Sequence, residues 1–126
     1  MKVTVKEECG NAPRKTVLRD FNVALASANV DDVLKWVSDD ITWKLVGNQV
    51  VEGKPAFEKA LGGSNMKVAE LVIENIITHG KTAAVDGELE LENGFRLSFC
   101  DIYRFTSAGR QAKINQITAY VVSSPG

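Results

Sequence analysis

The sequence predicts an α+β domain, and three observations carry that prediction. Helical apolar periodicity is confined to the first half of the chain, ending near Leu61. From Val68 onward the chain is a series of β-rich segments separated only by short turns. One hairpin register among those segments sorts apolar from charged side chains cleanly onto opposite faces. Helices first and an antiparallel meander afterwards indicate segregated layers, not alternating βαβ units.

Residues 1–10 alternate weakly at Val3 and Val5 and end at Cys9-Gly10, which reads as an arm or short edge strand spanning 1–12. Asn11-Ala12-Pro13 starts a helix, because proline's missing N–H costs nothing in the first turn. Val17, Leu18, Phe21, Ala24 and Leu25 then form one stripe at helical spacing, and Ala28-Asn29 ends it. Asp31 and Asp32 open a short second helix at its positive dipole end, with Val33, Leu34, Trp36 and Val37 as its apolar surface. Ser38-Asp39-Asp40 reads as a turn into a strand over 41–46, rich in β-branched and aromatic residues. Gly47-Asn48 is a turn and 50–53 a short return strand. Lys54 to Leu61 reads as a third helix with Phe57, Ala60 and Leu61 inward, closed by Gly62-Gly63. Strands are expected over 68–78, 82–91, 95–105 and 114–122.

The loop Glu92-Asn93-Gly94 sets the faces of the central hairpin. A three-residue loop with Gly94 left-handed pairs Leu91 with Phe95, Leu89 with Leu97 and Glu90 with Arg96. A slip of one residue would flip every side chain, so only this register keeps the faces clean. One face then carries Val85, Gly87, Leu89, Leu91, Phe95, Leu97, Phe99, Asp101 and Tyr103. The other carries Asp86, Glu88, Glu90, Arg96, Ser98, Cys100, Ile102 and Arg104.

A chain of 126 residues, 44% hydrophobic and 25% charged, is expected to form a single domain, 1–126, with its core over 13–122. Its net charge of −1 with interspersed signs lacks the footprint of a nucleic-acid binder or a polybasic membrane patch. No apolar run is long enough to span a bilayer, and acidic residues arrive early, so no export signal is expected. The two cysteines, Cys9 and Cys100, read as reduced thiols, and the expected location is cytoplasmic. With one histidine, His79, no multi-histidine metal site is available.

Two stretches carry a family resemblance. Residues from Phe21-Asn22-Val23-Ala24-Leu25 to Ser38-Asp39-Asp40-Ile41-Thr42 resemble the first two helices and their exit in the nuclear-transport-factor-2-like superfamily. Asp101-Ile102-Tyr103-Arg104-Phe105, with Ala119-Tyr120 after the next turn, resembles its last two strands. The likeness spans about 14–122 and includes the SnoaL-like polyketide cyclases and the ketosteroid isomerases. It implies three helices packed on a strongly curved, mainly antiparallel sheet, a cone-shaped half-barrel with an internal pocket. It also implies a homodimer and no cofactor.

The isomerase chemistry does not carry over position by position. Where that family has a carboxylate base this chain has Leu45, and where it has a helix tyrosine this chain has Phe21. The neutral acid that donates a hydrogen bond from an apolar site matches Asp101. Asp101 is therefore the leading candidate for binding or acid/base work, against the alternative of a structural aspartate bonded to helix backbone or to Tyr103. The expected ligand-binding set comprises Phe21, Leu25, Trp43, Leu45 and Phe57, with Phe99, Asp101, Tyr103, Asn115 and Ile117 from the sheet.

Trp36 is a second aromatic that could line the mouth, and Asn48 reads as a turn residue. His79 invites a general-base role but sits at a strand end. Cys100 points away from the pocket. Asp86, Glu88 and Glu90 read as a surface ladder, not a metal site. Arg104 lies an odd number of residues from Asp101, which opposes an Asp-Arg-Asp water-activating arrangement. The leading functional reading is a pocket for a small apolar ligand with Asp101 as its main polar group. The alternatives are a cofactor-independent isomerase, cyclase or hydrolase using Asp101, and a non-catalytic dimerisation or interaction domain.

Overall fold

The computed structural model describes residues 1–124; Pro125 and Gly126, the end of the expected 1–126 domain, lie outside the described residues. In chain order the elements are β1 (Lys2–Val5), α1 (Pro13–Ala26), α2 (Val30–Leu34), β2 (Val37–Leu45), β3 (Gln49–Glu52), α3 (Lys54–Gly62), β4 (Val68–His79), β5 (Thr82–Leu91), β6 (Arg96–Phe105) and β7 (Ile114–Ser124). The strands form one curved, unclosed sheet in the order β1-β4-β5-β6-β7-β2-β3. Four of its pairings are antiparallel, while β1 on β4 and β2 on β7 are parallel. The three helices pack on its concave side, which gives the α+β cone expected from the sequence.

Register holds as read. Leu89 pairs with Leu97 and Glu90 with Arg96, and Gly94 closes the turn at φ 93°, where a side chain would be strained. Along β6 the inward residues Phe99, Asp101, Tyr103 and Phe105 are buried, while Ile102 and Arg104 are exposed. Irregularities in the ladders at Val68/Glu70, Ile73/Asn75 and Arg104/Phe105 bend the long strands, since each extra residue kinks its strand and increases its twist. Opposite the second of these, Gly87 lies so close to β4 that a β-carbon would enter the van der Waals shell of the Val72 carbonyl oxygen.

The expected second helix is shorter than its apolar spacing suggested. It ends at Leu34, and Trp36 and Val37 belong to the exit and to β2. Ser38-Asp39-Asp40 does not turn but continues as extended chain, with the Ser38 hydroxyl donating to Asp40 Oδ1 at 2.6 Å. Short polar side chains satisfy their neighbours locally in a bulge as readily as in a turn. Here Val37 pairs with Ile114 and Thr42 with Gln116, so the polar residues fall in the irregular stretch between.

α1 ends in a Schellman arrangement. The Asn29 N–H donates to Ala24 O at 2.9 Å and the Ala28 N–H to Leu25 O at 3.2 Å. Such a cap needs a left-handed residue, and Ala28 takes that role at φ 58° in place of the usual glycine. Asn29 then caps α2, its Oδ1 accepting from the Asp32 N–H. At the far end of α1, Arg14 donates to the carbonyls of Gly80, Ser107 and Gly109 and stacks 3.9 Å over the Phe105 ring. One side chain thus ties the first helix to two sheet turns.

Candidate functional site

Between the helices and the concave face lies a cavity of about 210 Å³. α1 contributes Leu25 because its stripe faces the sheet, and α3 contributes Phe57, whose ring meets Trp43 edge-on at 5.3 Å. The sheet supplies Leu45 from β2, Phe99 and Asp101 from β6, and Ile117 from β7. Cross-strand pairing explains the grouping: Ala119 sits directly between Asp101 on one side and Leu45 on the other. The mouth is bordered by the exposed residues Ala28, Ser64, Met66 and Val121.

Among the described residues Asp101 is the only ionisable side chain on this wall. It is 9% exposed, and its Oδ2 accepts from the Tyr103 hydroxyl at 3.2 Å. The Tyr103 oxygen in turn accepts from Asn22 Nδ2 at 3.2 Å, and the same amide donates to Leu18 O at 2.8 Å. The result is a hydrogen-bonded chain linking the helix backbone to the carboxyl, with the Asn22 amide donating to both Leu18 O and the Tyr103 oxygen. Asp101 Oδ1 has no hydrogen-bond partner among the described residues and is not fully enclosed, so it is free to meet cavity contents.

Burial disfavours the charged carboxylate and raises the Asp101 pKa to about 7, although the Tyr103 hydrogen bond pulls the other way. Burial, followed by the neighbouring Asp101 charge, pushes the Tyr103 phenol well above its ordinary value. Tyr103 therefore stays a donor across the accessible pH range, while Asp101 changes protonation near neutrality. The site can both accept and donate a hydrogen bond in an apolar surrounding. Among the described residues no three His, Cys, Asp or Glu side chains converge to hold a metal ion.

Three residues of the expected binding set lie off the cavity wall. Phe21 and Tyr103 are fully buried one layer behind it, in edge-to-face contact at 5.9 Å. They support Asp101 and Asn22 and do not present a surface to the cavity. Asn115, expected to share a face with Ile117, falls in the ladder irregularity between Ile114 and Gln116. That irregularity breaks the two-residue period, so Asn115 leaves the wall and its Oδ1 is buried without a partner. Trp36 packs against the core away from the cavity, and His79 and Asn48 are exposed.

The polar group that sequence reading passed over is Asn22. It was legible in principle: Leu18, Asn22 and Leu25 form an i, i+4, i+7 row, which puts an amide inside the apolar stripe of α1.

A family model for the SnoaL-like domain matches residues 18–114. Among solved structures, the chain is similar to an NTF2-like protein of unknown function from Cytophaga hutchinsonii at 25% identity. That match covers 86% of this chain and 98% of the other, with a TM-score of 0.66. It is similar in fold to a candidate ketosteroid isomerase from Kribbella flavida at 13% identity, covering 89% and 79% of the two chains with a TM-score of 0.75. It is also similar in fold to SalBIII, an epoxide hydrolase/cyclase-like enzyme of pyran ring formation in salinomycin. There the identity is 19%, the coverage 86% and 90%, and the TM-score 0.66. A comparison with curated protein sequences returned no match.

Proposed function

The chain belongs to the SnoaL-like domain family, and on that footing we propose that its cavity binds a small, mainly apolar molecule through one hydrogen-bonding group held by Asp101. The observation that carries this reading is one ionisable side chain, Asp101, on a mainly apolar wall whose other polar members among the described residues include Asn22 and Ser64, with one carboxyl oxygen held by Tyr103 and the other without a partner. Sites of this composition gain affinity from apolar burial and orientation from the few polar groups they contain. Titration with 1-hexanol by calorimetry tests it. Saturable binding is expected, weakened at least tenfold in Asp101→Leu, which keeps the branched shape and removes the polar partner. Absence of saturable binding, or binding indifferent to Asp101→Leu, overturns the reading.

A second reading is favoured by the Asp101 pKa of about 7, since a general acid or base works best when its pKa lies near the operating pH. On this reading the protein is a cofactor-independent enzyme of the isomerase, cyclase or hydrolase class. The ketosteroid isomerase mechanism is not proposed, because an aliphatic Leu45 cannot remove a proton. Turnover with an inflection near pH 7 that vanishes in Asp101→Asn would establish catalysis. We further propose a homodimer formed through the outer face of the sheet.

A further inference from the structure

We propose that the cavity continues outward onto an apolar apron formed by Leu91, Phe95 and Leu97, and that this apron takes the alkyl tail of a neutral, elongated ligand whose single oxygen lies at Asp101. Both the position of that oxygen and the apron rest on the pocket function proposed above.

The inner face of the β5–β6 hairpin does not stop where the cavity wall stops. Leu89, Phe99 and Val121 line the cavity. Leu97 pairs with Leu89 across the hairpin and lies diagonal to Val121, and the Leu91 N–H donates to the Phe95 carbonyl one step further out. Leu91 and Leu97 continue the inward alternation of β5 and β6, Phe95 stands in the turn just before β6, and none of the three joins the core cluster. Phe95 is 55% exposed, and the mouth residues Met66 and Val121, adjoining this strip, are 46% and 49% exposed. Leaving such side chains in water forfeits burial energy, and a contiguous apolar strip of this kind marks a surface that is covered in use.

Size and charge choose the occupant. A cavity of about 150 Å³ accepts benzene, so one of this size holds a chain or ring of roughly six carbons. Anything longer must emerge through the mouth, where the apron is the apolar surface available. Among the described residues no lysine, arginine or histidine lines the cavity. A carboxylate or phosphate entering head-first would lose its hydration beside Asp101 with no counter-charge, so the inner end is a neutral oxygen function such as an alcohol or ketone.

The test compares 1-hexanol, 1-octanol, 1-decanol and decanoate on the wild type, Phe95→Ser and Leu97→Ser, with thermal melts confirming that each variant is folded. Burial of a methylene tightens binding by roughly fourfold when complete and about twofold on a half-covered strip. Decanol should therefore bind at least tenfold more tightly than hexanol to the wild type. In both variants that ratio should fall below about threefold while hexanol binding stays unchanged. Decanoate should bind more weakly than decanol.

Equal affinity for hexanol and decanol, or a ratio that survives both substitutions, overturns the apron while leaving the pocket reading intact. Failure of hexanol itself to bind removes the pocket reading and the apron with it. Decanoate binding as tightly as decanol overturns the neutral-end assignment, since the acid would then lie tail-inward with its charge at the rim. A change of oligomeric state in Phe95→Ser with an unaltered ratio assigns the apron to a second copy of the chain and overturns the proposal.

Discussion

At the scale of single residues, the balance at Asp101 is between burial and one hydrogen bond. Burial raises its pKa to about 7 in the folded state, against the ordinary carboxylate value near which it titrates when unfolded. Below about pH 4 both states hold the proton, so no penalty falls on the fold. Between there and about 7 the unfolded chain ionises while the folded one keeps its proton, and stability falls with rising pH. Above 7 the loss is complete and the contribution is flat. Asp101→Asn cannot ionise, so its stability relative to the wild type should rise between pH 4 and pH 8 by on the order of 3 kcal/mol, while any cost of its amide against the apolar cavity applies equally at both pH values. Urea melts at the two pH values check this. A variant less stable than wild type at pH 8 but not at pH 4 would mean that the charged form is the stabilising one. The sequence placed Asp101 correctly, because strand alternation and the Glu92-Asn93-Gly94 turn fix its face. It did not reveal Asn22 as the second polar group, because helical stripes are read by their apolar members.

At the scale of elements, two backbone positions are set by geometry more than by side-chain chemistry. Ala28 holds φ 58° at the end of α1 and at the mouth of the cavity. An L-residue pays roughly 1–2 kcal/mol there, which glycine avoids while losing some entropy of its own. Ala28→Gly should therefore raise stability by about 0.5–1 kcal/mol in urea melts, and a loss of that size would show the mouth to be strained in some other way. Gly87 is the opposite case. Its neighbour is the Val72 backbone, which cannot move without unpairing β4 from β5. Gly87→Ala should cost about 3 kcal/mol, at the upper end of overpacking effects, and a near-neutral melt would contradict the close approach. These two positions also mark where sequence reading fades. Turn chemistry at Asn93-Gly94 is local and was readable. The irregularities at Glu74, at 38–41 and at Asn115 depend on which strand lies alongside, and no residue type announces them. Asn115 left the cavity wall for that reason, and Ser38-Asp39-Asp40 became strand.

At the scale of the whole molecule, the two faces of the sheet differ in how they are covered. The concave face has its helices and its cavity. The convex face carries a row that crosses four strands, Ile77 beside Ala84, Ile102 and Thr118 in register, with Tyr120 and Val122 next to it on β7. Ile77, Tyr120 and Val122 are among the most exposed large apolar residues of the chain, and Ile102 joins them. Acidic residues flank the row on β5 at Asp86 and Glu88, in register with Tyr120 and Val122, while Arg104 lies on its other side and Lys44 continues the row beyond Thr118. A face of this kind, repeated on a second copy and turned by a twofold axis, can bring apolar rows together and set each acidic flank against a basic one. The expected mass in solution is therefore close to twice the chain mass of 13.7 kDa by light scattering. Working at protein concentrations on the order of tens of micromolar leaves room for a moderate dissociation constant. Ile102→Glu puts an uncompensated charge at the centre of the row without touching the cavity, because its side chain points away from Asp101. It should yield a monomer that still binds hexanol. A wild type that scatters as a single 13.7 kDa chain, or an Ile102→Glu variant that stays dimeric, would leave the convex face without a partner of this kind.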